Sequence, residues 1–181
     1  MNRIVLSCFV FGLTSAALPS FAQSGDVNFA DRKAVIIEQP GVGVQLQGFS
    51  FKNAYDRSAF RLQTSLGWKN VSAKPVTAFE VVILRYDPFN RPIPMGGRWL
   101  VTGKNSGDWS ALGPGESSSD GLSGFDDEPV LTSVVYIRAI RFEDGTVWMA
   151  NTPTIEAAIR AKLPVLKQLG DVNPSIEKKR D

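Results

Sequence analysis

The chain has 181 residues, 43% of them hydrophobic and 21% charged, with 20 basic and 18 acidic side chains, one Cys and no His. That is one domain's length, with enough apolar content for a core, and a net charge of +2 gives no electrostatic reason to expect nucleic acid or an anionic membrane as partner. Without His, Ser or Cys nucleophiles lack their usual base, and zinc lacks its usual ligands.

The first 22 residues read as a secretory signal peptide. Met1-Asn2-Arg3 is a short positive start, Ile4–Leu13 is apolar, and Ser20-Phe21-Ala22 places small residues for cleavage after Ala22. As a membrane anchor the run is too short and is broken by Ser7, Gly12, Thr14 and Pro19. Val5-Leu6-Ser7-Cys8 loosely resembles a lipobox but has too little chain before it. The processed chain from Gln23 is then cysteine-free and relies on packing without disulfides. The expected location is the periplasm or the cell exterior, and no later segment is apolar enough to span a membrane.

Residues 23–150 are expected to form an Ig-like antiparallel β-sandwich. Lys33–Gln39 is a short strand stopped by Pro40-Gly41. Val42–Lys52 alternates until its phase slips near Gly48, which marks a bulge. Asn53–Arg57 is a polar turn, and Ala59–Trp68 alternates like a strand wet on one side. Val76–Tyr86 is the central strand. One face carries Val76, Ala78, Glu80, Val82, Leu84 and Tyr86, and the other Thr77, Phe79, Val81, Ile83 and Arg85. Both rows are mainly apolar, so cover is expected on both sides. Asp87-Pro88 and Asn90 end it in a turn.

Phe89–Gly97 reads as a loop, Arg98–Thr102 as a short strand, and Trp109–Leu112 as a brief pairing. Glu116–Glu128, rich in Ser, Gly and Asp, reads as an exposed loop. Leu131–Phe142 is the second long strand, with Arg138 and Arg141 on opposite faces. Gly145 turns it into Val147–Ala150. The absence of alternating helices argues for a sandwich over a parallel sheet. A helix is expected over 151–170, capped by Thr152 with Pro153 in its first turn. Its stripe is Ile155, Ala158, Ile159, Leu163, Leu166 and Leu169, and Pro164 breaks or kinks it near Leu163. Residues 171–181 are charged and expected to be disordered.

Few residues suggest chemistry. No phosphate-cradling loop precedes a helix, and Glu80 alone among the acids sits in an apolar setting, most simply as a salt-bridge partner. Asp120, Asp126, Asp127 and Glu128 could hold calcium but do not fit an EF-hand, so a solvated acidic loop is the simpler reading. Trp68, Trp99, Trp109 and Trp148 could stack on sugars, though packing explains them more cheaply. The arginines of the long strands suit rim ion pairs better than an anion site.

Lys69-Asn70-Val71-Ser72, a long strand ending Leu84-Arg85-Tyr86-Asp87, and Leu112-Gly113-Pro114-Gly115-Glu116 together resemble bacterial Ig-like domains of the FxLYD type. The resemblance covers about a third of the chain, and Arg85 stands between the Leu and Tyr that the family joins. It implies an Ig-like envelope domain and transfers no catalytic residue. The expectation is thus an exported, non-catalytic binding or assembly module without cofactor or metal. Its partner is expected to be an envelope protein, met at a surface around Trp99, Trp109, Arg85 and Tyr86, by a sheet edge, or by the terminal helix. A small ligand or glycan held by tryptophans and loops is the alternative.

Overall fold

A computed structural model describes residues 32–56, 59–125 and 130–174. The expected signal peptide, the acids Asp126, Asp127 and Glu128, and residues 175–181 lie outside them. In order the chain forms β1 (Lys33–Ile36), β2 (Val44–Asp56), β3 (Ala59–Asn70), β4 (Val76–Tyr86), β5 (Pro92–Thr102), β6 (Ser117–Phe125), β7 (Thr132–Phe142), β8 (Val147–Met149) and α1 (Thr152–Lys162). One sheet has the order β1-β7-β4-β5, with β8 beside the far half of β7. The other is β2-β3-β6. The chain is therefore an all-β sandwich with a C-terminal helix. Among the described strands one pair is parallel, β1 on β7.

The β-branched runs of β4 and β7 place buried side chains on both faces. Phe79, Val81, Ile83, Val135 and Ile137 meet Leu46, Leu66 and Trp68 of the smaller sheet. Trp68 packs edge-on against Phe79 and Trp99, with ring centres 5.2 and 5.9 Å away. On the other face Val82, Leu84, Tyr86, Val134 and Tyr136 meet Ile155, Ile159, Leu163, Leu166, Leu169 and Val172. The molecule has three layers, and the terminal stripe packs on its own sheet.

The helix differs from expectation in its cap, and it breaks near Leu163, where Pro164 is expected to break it. Asn151 caps it in place of Thr152, its Oδ1 accepting the Thr154 N–H at 3.0 Å. It stops at Lys162 and not at Gly170, because Pro164 cannot continue the ladder. Beyond it the apolar residues stay buried in irregular chain held by hydroxyls. Tyr86 donates to the Leu169 carbonyl at 2.9 Å, and Tyr136 donates to that of Val172. Residues 171–174, expected in the disordered tail, are thus held against the sheet.

Three segments expected as loops or turns are wholly or partly strand. Residues 53–56, expected as part of a polar turn, continue β2. β5 starts at Pro92, not Arg98, and tolerates Pro92 and Pro94 because it is an edge. The Ser/Gly run Ser117–Phe125 pairs residue for residue with β3 from Lys69 to Arg61. A partner ladder overrides weak intrinsic preference there. The slip near Gly48 is a bulge between Gln47 and Ser50, with Gly48 at φ +60°. Leu112 pairs with Val76 in an isolated bridge.

Two amides complete the backbone pairing. Gln39 fills the gap between β1 and β8: its Nε2 donates to the Ile137 carbonyl at 2.8 Å and its Oε1 accepts the Ile137 N–H at 2.7 Å. Asn70, fully buried, donates to the carbonyls of Leu112 (2.8 Å) and Lys74 (2.9 Å) and accepts from the Ser72 N–H (2.9 Å) and hydroxyl (2.7 Å). Its backbone N–H donates to Glu116 and its carbonyl accepts from Gly115, each at 2.9 Å. The turns after β3 and before β6 therefore hang on one side chain.

Asn70→Ala should cost about 2 kcal/mol, because it removes four side-chain hydrogen bonds at a buried site, although the Leu112 carbonyl keeps the Val76 N–H and the Lys74 carbonyl keeps the Ser72 hydroxyl. Urea unfolding should show a lower midpoint and an unchanged slope.

Burial pushes the Tyr86 hydroxyl up to about 12, against the pull of the Arg160 charge. Burial, with negative neighbours adding to it, also raises Tyr136. A raised folded pKa gives stability that is whole below the unfolded value of about 10 and is lost as pH rises through the folded one. Wild type should therefore lose urea resistance above about pH 10, whereas the Tyr86→Phe, Tyr136→Phe double variant should start less stable and lose less.

Candidate functional site

The four residues proposed as a surface do not converge. Trp99 is 5% exposed, faces the inter-sheet core, and donates through Nε1 to the Ser106 hydroxyl at 2.7 Å. Tyr86 is fully buried under the C-terminal segment. Arg85 is half-buried near the end of β4 and is engaged there. Trp109 alone is open to solvent, at 82%, as a single ring in the loop after β5. Trp68 lies in the core and Trp148 packs partly against it, so no sugar-stacking platform forms. With β4 covered on both faces from Val81 to Tyr86, alternation along that half gives no sign of a wet side.

Sheet edges offer little. The Lys162 Nζ donates to the Ile36 carbonyl on β1 at 2.9 Å. β2 is interrupted by its bulge, and β5 by prolines and a slip opposite Leu84. On β6 the Asp120 carboxylate accepts the Gly121 N–H at 2.7 Å. With its nitrogen toward β6, the Asn105 amide donates to the Ser119 carbonyl at 3.2 Å. β8 has only three residues. Such devices blunt strand-to-strand pairing.

The outer face of the larger sheet is different. The helix and the segment after it cover only the half around Val82, Leu84, Tyr86, Val134 and Tyr136. The other half is built of cross-strand rows. Leu100, Glu80, Ala139 and Met149 stand side by side on β5, β4, β7 and β8, and the next row includes Ala78, Arg141 and Val147. Leu100, Val147 and Met149 are 52, 55 and 54% exposed.

Glu80 sits in the middle with two arginines. Arg98 from β5 and Arg138 from β7 each bond one of its carboxylate oxygens, with all three side chains under 20% exposed. Arg138 also donates through Nε to Asn173, which ties the ion group to the end of the covered half. A register slip where β7 passes Glu80 sets Arg138 and Ala139 against one residue of β4. The slip reverses the side-chain phase, so Arg138 and Arg141 share the outer face and do not lie on opposite faces. Alternation could not reveal this, because the extra residue has no sequence mark such as the glycine at position 48.

A cleft of about 680 Å³ opens between β1 and β2, walled by Val42, Val44, Leu46, Phe49 and Val71, with Lys162 at its rim. Among the described residues no three acids gather as a metal ligand set, and no helix is long and apolar enough to cross a membrane.

A scan of family models finds no match to the chain, and a search of curated proteins finds none either. Among solved structures, a hypothetical protein from Peptoclostridium difficile 630 aligns at 13% identity over 68% of this chain and 92% of its own, with a TM-score of 0.48. A Northeast Structural Genomics Consortium target aligns at 11% identity over 60% and 80%, with a TM-score of 0.39. Neither likeness is close enough to carry an argument.

Glu80→Ala should be strongly destabilising, by about 3 kcal/mol, because it strands two guanidinium groups in a mostly buried place. Replacing all three residues by apolar ones of similar size should come out near neutral. Urea melts of the two variants check this.

Proposed function

We propose that the chain is an exported, non-catalytic β-sandwich that works as a binding or assembly module of the bacterial cell envelope. One observation carries the reading: the described residues cover half of the larger sheet's outer face and leave the other half bare. The bare half combines three large half-exposed apolar side chains with a concentration of arginine. Large apolar groups gathered at one place, with charge around them, are the ordinary marks of an interface. The terminal helix is spent inside the molecule and the edges are blunted, so a sheet face is the surface best suited to a partner. The signal-like first 22 residues and the cysteine-free remainder support export. The absence of His from the sequence supports a non-catalytic role.

Small-ligand binding is the second reading, and the cleft between β1 and β2 favours it over any tryptophan platform. Its volume falls in the usual range for ligand sites, and its walls mix apolar side chains with polar surface in nearly equal measure.

A photoreactive amino acid placed in turn at Leu100, Met149, Phe49 and Phe89 of the exported protein tests the two readings in cells. Crosslinks from Leu100 and Met149 to one partner, with none from exposed Phe89, are the expected outcome. Adducts confined to Phe49 would move the site to the cleft. Silence at all positions would remove the binding-module reading.

A further inference from the structure

The bare half-face has a chemistry that selects its cover. Counting its rows and the ion group beneath them, Arg98, Arg138 and Arg141 stand against Glu80 alone. Two of these arginines divide one carboxylate, and the Arg98 Nε is buried without a hydrogen-bond partner. Arg141 is exposed. The face therefore carries excess positive charge and at least one donor without an acceptor.

Leu100 and Met149 are the ends of a row across four strands, with Glu80 and Ala139 between them, and Ala78 lies in the next row. Strands spaced about 4.8 Å apart make that row about 14 Å long. Two to three turns of helix rise by about the same length. The covered half of the same face already takes a helix, α1, through Ile155 and Ile159.

We propose that, on the binding reading above, the partner covers this half-face with an amphipathic helix whose flanks are acidic. Its apolar side chains seat between Leu100 and Met149, and its carboxylates meet the exposed Arg141. A second copy using the same patch is disfavoured, since a two-fold axis there would set arginine against arginine. Residues 175–181 carry three basic and two acidic side chains, so charge does not recommend them as the cover. An anionic membrane would need cations that reach outward, and two of the three arginines are folded onto Glu80.

The test uses the processed full chain and three labelled synthetic peptides. One is a helix of Leu, Ala and Glu with Leu on one face, one has Lys in place of Glu, and one has the Glu composition scrambled to destroy the apolar face. The first should bind at least about tenfold more tightly than the others by fluorescence anisotropy, a difference of about 1.4 kcal/mol. Arg141→Glu should reverse the preference between Glu and Lys peptides. Leu100→Asp with Met149→Asp should abolish binding with little change in melting temperature, since both sites are half-exposed. Equal binding of the Lys peptide, binding that survives the double Asp variant, or tighter capture by phosphatidylglycerol vesicles would each overturn the inference. If the Glu peptide fails while crosslinks from Leu100 and Met149 still find a partner, the binding reading stands and the acidic helix falls.

Discussion

The larger sheet is apolar on both faces, and most of the architecture answers that constraint. Strands such as β4 and β7 cannot leave either row of side chains in water without losing roughly 25 cal/mol per Å² of the burial that stabilises the fold. The smaller sheet covers one face through Trp68, Leu66 and Leu46. The other face is too wide for a helix of 11 residues. The chain extends the cover with irregular backbone, which is possible because two buried tyrosines supply hydroxyl donors to its carbonyls. Where that cover ends, at Asn173, the sheet changes character from Val and Tyr to Arg, Glu and Ala.

Much of this was legible in the sequence, and its failures share a cause. Long β-branched runs identified β4 and β7, Gly48 marked its bulge, and Pro164 marked the end of regular helix. These signals are local: a stiff side chain, a positive φ, a missing N–H. β6 was missed because Ser and Gly carry no strand preference of their own, and its state is set by β3 alongside. Trp99 and Tyr86 were placed at a surface for a related reason. When both rows of a strand are apolar, period two shows that the strand is buried but not what lies on either side. The bare half-face depends on four strands brought into rows, a juxtaposition no single segment encodes. Glu80 did stand out as an acid in an apolar setting, and that signal led to the centre of the face.

The ion group on that face fits specificity better than stability. Its members are mostly withdrawn from water, where desolvation cancels much of the Coulomb attraction. An apolar trio would hold the strands as well. What the arginines add is a sign of charge at a place where apolar side chains alone would accept almost any greasy surface.

The amide of Gln39 has a consequence for the order of folding. It lets two separate segments, β1 and β8, share one edge of β7, with a side chain standing in for a residue of strand between them. Gln39 and Ile137 are 98 residues apart, and among the described residues β1 pairs with no strand other than β7. In a chain that emerges from its N-terminus, the first of the described strands to appear is among the last to find its place. It must wait until the second long strand is present, because non-local parallel pairing carries the full entropic cost of closing the loop between the partners. Through that interval β1 is an unpaired strand, and it is the part of the described fold most exposed to misassembly until Gln39 closes the joint.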